Sequence, residues 1–398
     1  MGARAAAGAA LNGGSPAAAA RGKRPAPSAD VVDRALKLAA EGWSGEEIDR
    51  ELGLHAAAEG REITQVADEA MAQIVRELFG SGARIRSSVR LGPLTTHGIQ
   101  RRGGFTGNLV YALVLERPRR RLILRFNRGL REDVYDQERR NYALVREATG
   151  IRGPEILLVD RSHRLAPSEF MVMEHVDGEL GSYLSHPDNP DVTADERRRI
   201  RSRTGEFYAE LHHWSRPAGD PMHETRRLLF GLYRLLDVAV SPTSTLDPAE
   251  VRRCIEAFQA APALRSDTAS LCFTDGELLF AKRKGRWEPA FVCDLEWVGH
   301  RDRHADLVSA LCAWAPLWSL PSAGVSQAVL REARRDPFFL AYQERLPVDW
   351  DRLAAIVPHH QLALWGHALA DQPSASAREA LWISRRDLLT ALIRHVQR

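Results

Sequence analysis

Cysteine is scarce in this chain: there are four in 398 residues, Cys254, Cys272, Cys293 and Cys312, and no two are spaced as C-x-x-C. A chain of this length buries a sufficient core without a disulfide framework, so each reads as a free thiol in a reducing compartment, two of them in apolar strand-like runs. Long apolar runs are missing as well. The nearest approach, "LVSALCAWAPLWSL", is broken by Pro316 and falls short of the ~18 residues a membrane helix needs. The N-terminus has no bulky apolar segment of the secretory type, so a cytoplasmic protein with no membrane partner is expected. Charge of one sign is also in short supply. With 55 Lys and Arg against 52 Asp and Glu the net charge is +3, which leaves no general basic surface for nucleic acid, and nucleic acid is not an expected partner.

What is present is ordinary for a soluble globular protein: 44% hydrophobic and 27% charged residues, with Arg far commoner than Lys. Residues 1–28 are Ala/Gly-rich and nearly devoid of large apolar side chains, and they read as a disordered tail. Residues 29–82 read as a helical extension: "DVVDRALKLAAEG", then "SGEEIDRELGL" with Ser44 and Glu47 as a capping box and Gly53 as a stop, then "EITQVADEAMAQIVRELF". The phrase "LAAEGWSGEEIDRELGL" looks like part of a helix-turn-helix, but Glu41, Glu46, Glu47, Asp49 and Glu51 carry the wrong sign for phosphate contacts. Helices packed on the next domain, able to hold a protein partner, are the better reading. Residues 83–175 are β-rich, with "GGFTGNLVYALVLE" and "RRRLILRFN" as hairpin strands, the helix "DQERRNYALVREATG", and the strands "EILLVD" and "EFMVMEHV". Residues 176–398 are mainly helical, interrupted by two or three short strands over 270–297.

Several residues in this order could carry chemistry. Gly103, Gly104 and Gly107, followed by Asn108 and Tyr111, would let backbone N–H groups approach phosphate oxygens closely. Arg125 in "LILRFN" offers a permanent, fork-shaped cation suited to phosphate. Asp294 in "FVCDLEWVGHRDRHADLVSAL" is a carboxylate at a strand end, the kind of oxygen ligand a hard divalent ion prefers.

Taken together the chain resembles the aminoglycoside phosphotransferase family over roughly residues 100 to 310. The resemblance implies an α+β, two-lobed protein-kinase-like fold, here with a helical N-terminal extension. It implies ATP and Mg2+ as cofactors, with Gly103, Gly104, Gly107 and Asn108 over the phosphates and Arg125 gripping them. Glu138, or neighbouring Asp136, orients Arg125; backbone groups from Glu174 to Val176, before Gly178, meet the adenine edge; Asp294 is the metal ligand. Asp306 would start a helix, cap it and steady the catalytic loop, while His212 and His213 of "GEFYAELHHW" would be structural.

The sequence departs from the family at "SLCFTDGELLF". The family pattern H-G-D-x-x-x-x-N falls on Phe273, Thr274 and Asp275 if the loop is shortened to Gly276, with Glu277 in place of the metal-binding Asn. Without the gap, Glu277 keeps that place, and Cys272 and Ser270 stand at the Asp and the His. The gapped alignment retains Asp275 as catalytic base and makes Glu277 a metal ligand. Phosphoryl transfer rests mostly on positioning and charge stabilisation, so losing the His need not end it. Two functions follow: a phosphotransferase acting on a hydroxyl of a small molecule or of Ser/Thr in a peptide, or a pseudokinase serving as a binding or scaffold subunit. The Arg-rich second half ("RRRIRSR", "REARRDP", "ISRRD") suits an acceptor less cationic than an aminoglycoside.

Overall fold

The computed structural model describes residues 68–396 apart from 93, 98, 103–107, 128–133, 167, 215–222, 241–243, 261–269, 274–275, 296–297, 315–326 and 371–374. The 1–28 tail and the first two helices of the extension lie outside the described residues. The last helix of the extension is described from α1 (Asp68–Phe79) onward. Its Met71, Ile74 and Val75 recur at helical spacing, and all three are buried against the strands that follow.

The first lobe is built on β1 (Arg84–Leu91), β2 (Leu94–Thr96), β3 (Ile99–Arg102), β4 (Asn108–Arg117) and β5 (Arg120–Asn127). The long helix α2 (Val134–Thr149), β6 (Ile156–Asp160) and β7 (Phe170–Glu174) complete it. Five strands make one antiparallel sheet in the order β1-β4-β5-β7-β6. β4 and β5 form the hairpin expected from their alternating pattern, and its register sets Val110 opposite Arg125. Between β1 and β4 the chain runs through a separate small hairpin, β2–β3. The connection to the glycine-rich segment is therefore a long excursion, not a tight turn.

After residues 175–178 the chain enters the second lobe. Its first elements are β8 (Glu179–Leu180), α3 (Gly181–Ser185), α4 (Ala194–His213), α5 (His223–Val240) and α6 (Pro248–Ala260). Then come β9 (Ser270–Cys272), β10 (Glu277–Arg283), β11 (Arg286–Cys293), β12 (Gly299–Arg301) and α7 (Arg303–Trp314). It ends in α8 (Gln327–Ala333), α9 (Pro337–Gln343), α10 (Trp350–Ala370) and α11 (Ala375–Val396). The short strands form two small sheets, β11-β10-β8 and β12-β9, and these hold the loops of interest. α4 starts on a reciprocal capping box, with the Glu196 N–H donating to the Thr193 hydroxyl at 3.2 Å and the Thr193 N–H donating to the Glu196 carboxylate at 3.0 Å.

The largest core joins α5, α6, α7 and α9 to α11 through Leu232, Phe258, Leu311, Phe339, Leu362 and Trp382, all nearly inaccessible. α5 and α10 cross so closely that a Cβ on Gly366 would lie 2.0 Å from the Gly231 carbonyl oxygen, so only glycine fits there. A second core, with Phe207, Phe273, Phe280 and Leu295, lies under the loops between the lobes. Among the described residues no helix is long and apolar enough to cross a membrane.

Candidate active site

α2 carries a stripe of polar and aromatic groups at helical spacing: Tyr135, Glu138, then Asn141 and Tyr142. Placed on one face, they turn into the interior between the lobes, where Glu138 and Asn141 have no accessible surface. Arg125, on β5 of the adjacent sheet, meets Glu138 there. Its Nη1 donates to both carboxylate oxygens, at 2.8 and 2.9 Å, and the Tyr142 hydroxyl donates to Glu138 Oε1 at 2.8 Å. The Tyr135 ring lies 5.7 Å from the guanidinium carbon, and the Tyr135 hydroxyl donates to Asn108 Oδ1 at 2.8 Å. Asp136, the alternative partner for Arg125, instead faces Arg161 at 2.7 Å. Burial works to lower the Arg125 pKa, but the carboxylates of Glu138 and Asp294 hold it well above its ordinary value. A buried ion pair is a weak source of stability, because desolvation offsets the attraction. What the pair does secure is a fixed cation at the cleft.

The second half of the site comes from the loop after β11. Arg125 Nη2 reaches Asp294 Oδ1 at 3.1 Å across 169 residues of sequence. Asp294 has φ +59° and its side chain is 47% accessible. A non-glycine residue held in the left-handed region at such a junction is a mark of constraint by its surroundings. The constraint is visible: Asn141 Nδ2 donates to the carbonyl oxygens of Leu295, at 2.6 Å, and Val298, at 3.1 Å, and so ties this loop to α2.

Glu277, first residue of β10, pairs in register with Cys293, the residue before Asp294. Burial, then the Asp294 charge, pushes its carboxyl up to about 7. The Cys293 thiol is its neighbour, with Sγ 3.8 Å from Glu277 Oε2, and burial together with the nearby carboxylates pushes that thiol well up, so it stays protonated and unreactive.

Thr274 and Asp275 lie outside the described residues, but the chain on either side of them is clear. Gly276 N–H donates back to the Phe273 carbonyl at 2.9 Å. The Phe273 ring is buried edge-on against Phe207, at 4.9 Å, and Tyr208, at 5.8 Å. The gapped alignment sets this aromatic core residue at the family's histidine. The Phe273 N–H donates to Asp306 Oδ2, which also faces His212 Nε2 at 3.1 Å; His212 Nδ1 in turn faces the Tyr342 hydroxyl at 2.9 Å. Asp306 therefore reaches out to the 273–277 loop, and the start of α7 is capped by Asp302, whose Oδ1 accepts from the His304 N–H at 3.0 Å. His213 is exposed. Cys272, which the ungapped alignment would put at the acid, is wholly buried, with Sγ 3.7 Å from the Arg301 carbonyl oxygen and 3.6 Å from that of Asp302. Together with His212 and Asp306 it forms a compact buried cluster.

At the end of β7 the Glu174 N–H donates to the Glu155 carbonyl at 2.8 Å, and just after it the His175 N–H donates to that of Arg121 at 3.1 Å. The Glu174 carboxylate accepts from Arg152 Nη1 at 3.1 Å and from the Glu155 N–H at 3.2 Å. Val176 packs on the second core. Gly103, Gly104 and Gly107 lie outside the described residues. Just before them, Arg101 of β3 crosses to the other lobe: its Nε donates to Glu179 Oε2 at 2.8 Å, and its guanidinium carbon lies 5.4 Å from the Tyr183 ring centroid.

The structure thus brings Arg125, Glu138, Asp294 and Glu277 to one place between the lobes, with Asn108 alongside through Tyr135. The sequence reading passed over Tyr135, Asn141 and Tyr142, although their three- and four-residue spacing from Glu138 was a legible signal of a shared face.

A family model described as "Phosphotransferase enzyme family" matches residues 98–356. In fold the chain is similar to a protein of Ralstonia eutropha JMP134 assigned as an aminoglycoside phosphotransferase. Identity is 15%, covering 84% of this chain and 98% of that one, with a TM-score of 0.53. It is also similar to an ethanolamine kinase of Plasmodium vivax at 12% identity, covering 89% and 97%, with a TM-score of 0.52. No curated protein matches the sequence. At these identities the likeness is one of fold, and it agrees with the two-lobed, kinase-like α+β architecture expected from the residues.

Proposed function

The chain belongs to the phosphotransferase enzyme family, and from that premise we propose that it transfers the terminal phosphoryl group of ATP to a hydroxyl of a small molecule, with Mg2+. One observation carries the reading: Arg125, gripped by Glu138, keeps an Nη2 donor 3.1 Å from the half-exposed Asp294. Phosphoryl transfer asks the protein for fixed charges and little covalent chemistry, and a preset cation beside a strand-end carboxylate supplies that.

The donor set fits a divalent cation. Asp294 and Glu277 face one another closely enough for Asp294 to raise the Glu277 pKa, a repulsion that a bound cation would relieve. Asp294, with Glu277, would hold it, and the bound ion would neutralise phosphate charge. In this reading Arg125 binds phosphate oxygens and Glu138 keeps its guanidinium from rotating away. Gly103, Gly104, Gly107 and Asn108 would serve the phosphates, and backbone groups from Glu174 to Val176 the base. The Glu174 and His175 N–H groups are already engaged, and among the described residues the Val176 N–H has no backbone partner, which suits it to donate. Asp275 orients the attacking hydroxyl and accepts its proton. The buried Cys272 supports the gapped alignment that puts the acid at Asp275. A peptide acceptor, a protein partner on the N-terminal helices, and a cytoplasmic location are kept as parts of the same reading.

The test is a thermal-shift titration with ATP, with and without Mg2+, on wild type and Asp294→Asn. Saturation at about 100 Kd stabilises the native state by about 2.7 kcal/mol. A Mg2+-dependent rise that is lost in the variant supports the reading, and no rise at millimolar Mg2+-ATP sinks it. The burial of Phe273 where the family has histidine favours a second reading, a pseudokinase. Its signature would be the same Mg2+-dependent shift with no phosphoryl transfer to any hydroxyl, and no loss on Asp275→Asn.

A further inference from the structure

Away from the cleft, the hairpin of β10 and β11 ends in the run Lys282, Arg283, Lys284, Gly285, Arg286, four exposed cations in five residues with no acid among them. We propose that this tip is a docking site for an acidic segment of a peptide or protein, one that carries several Asp or Glu side chains close together.

The first argument is that the tip is built against local preference. β10 and β11 are joined by two residues, Lys284 and Gly285, with φ of +49° and +78°. Two positive φ values in a two-residue hairpin loop call for Asn-Gly or Gly-Gly, and a lysine in the left-handed region is strained where asparagine is not. On either side of the turn, Arg283 and Arg286 are direct cross-strand partners. Like charges set opposite one another destabilise a strand pair. A solvent-exposed turn is free to carry better residues on both counts, so strain and repulsion at one spot point to a partner outside the fold.

Unmatched charge is the second argument. Around the tip the charges have partners: Lys282 lies 3.9 Å from Glu196 and 5.5 Å from the Trp287 ring centroid, and Arg198 pairs with Asp195. Arg203 pairs with Glu206 at 2.6 Å and faces Glu288 at 3.5 Å. Among the described residues no carboxylate forms an ion pair with Arg283, Lys284 or Arg286. Three cations are thus left over at the outermost point of the ribbon.

The surroundings decide what kind of anion fits. Asp195 and Glu196, at the start of α4, and Glu288, two residues beyond Arg286, form an acidic rim around the tip. A nucleic acid carries an unbroken track of phosphates, and an anionic membrane is a negative plane; either would press charge onto the rim as well as the tip. A short acidic segment meets the three unmatched cations and leaves the pairs of Lys282 and Arg198 as they are. The guanidinium groups of Arg283 and Arg286 can each take a carboxylate at two points.

The site stands apart from the phosphotransferase reading. β10 begins at Glu277 and β11 ends at Cys293, beside Asp294, so the tip lies one ribbon length, about 20 Å, from the cleft. A segment held there leaves the cleft open and raises the local concentration of the chain it belongs to.

The full chain is titrated with fluorescein-labelled octaglutamate and octauridylate by anisotropy, and with phosphatidylserine vesicles by sedimentation. Octaglutamate should bind best, and its affinity should fall as salt rises from about 50 to about 200 mM. Lys284→Asn combined with Arg286→Thr should weaken that binding by about fivefold or more and yet melt higher than wild type, because the turn is relaxed and the like-charge pair is gone. Arg119→Ser, which removes an exposed cation of the first lobe, should leave binding unchanged. The proposal is overturned by no binding of octaglutamate, by tighter binding of octauridylate or of the vesicles, by unchanged binding or a lower melting point in the double variant, or by an equal loss on Arg119→Ser. Octaglutamate binding without any Mg2+-ATP shift would uphold the docking site and refute the phosphotransferase reading, so the two fail separately.

Discussion

Replacing Glu277 by glutamine should make the protein more stable at alkaline pH and remove part of its pH dependence. The Glu277 carboxyl moves from an ordinary 4.5 to about 7 in the folded chain, driven first by burial and then by Asp294. Between pH 4.5 and 7 the native state therefore holds a proton that the unfolded state has released. The stability from this site is complete below about 4.5 and is lost as pH rises through about 7. At 1.36 kcal/mol per pH unit the full displacement corresponds to about 3 kcal/mol, reduced to about 2 kcal/mol because the side chain is partly open to water. Taking ~2.1 cal/mol/K per residue over roughly 330 folded residues, that is about 3 °C in Tm. Melting curves from pH 4.5 to 8.5 in EDTA, for wild type and Glu277→Gln, isolate the effect, since other titrating groups cancel in the difference. The curves should converge near pH 4.5 and separate by about 3 °C at pH 8, the variant melting higher. Parallel curves over the whole range would refute the reasoning.

Other substitutions test the scaffold of the site. Asp306→Asn weakens the contacts to the Phe273 N–H and to His212, and should cost about 2 kcal/mol, with faster hydrogen exchange at Phe273; a loss under ~0.5 kcal/mol would mean that Asp306 does not anchor the loop. Gly276→Ala places a Cβ 2.9 Å from two Phe273 ring carbons and 3.1 Å from Leu295 Cδ2, and should cost about 1–3 kcal/mol. Shortening the ring with Phe273→Leu should make the second change cheaper in a double-mutant cycle, whereas additive effects would refute the clash. Arg101→Ala breaks a partly exposed ion pair and should cost under ~1 kcal/mol globally. It should nonetheless release β2–β3, read as up to about fivefold faster exchange of that hairpin alone; unchanged exchange would show that the crossing from Arg101 to Glu179 holds nothing in place.

Much of the fold was legible because periodicity is a local property. The alternation in "NLVYALVL" marked β4 and "DQERRNYALVREATG" read as a helix, although the stripe of Tyr135, Glu138, Asn141 and Tyr142 along it was legible and went unread. The motif residues Arg125, Glu138, Asp294 and Glu277 were picked out by the family resemblance, and the structure brings those four together. Where local pattern left two choices, packing decided. Asp136 and Glu138 both looked able to serve Arg125, but they lie on different faces of α2, and Asp136 turns to Arg161. The sequence already favoured the gapped alignment of "SLCFTDGELLF", in which an apolar strand ends at the acid; Cys272, the acid position of the other alignment, is sealed beneath β12 and α7.

The sequence by itself determined which segments become strands and helices and which carboxylates and cations could serve phosphate. Those are matters of residue type and short-range spacing. Only the tertiary structure decided that Arg125 meets Asp294 across 169 residues and that Asn141 clamps the Leu295 and Val298 carbonyls. Such pairings depend on how separately formed surfaces close on one another, so their energies arise only once distant segments are desolvated together.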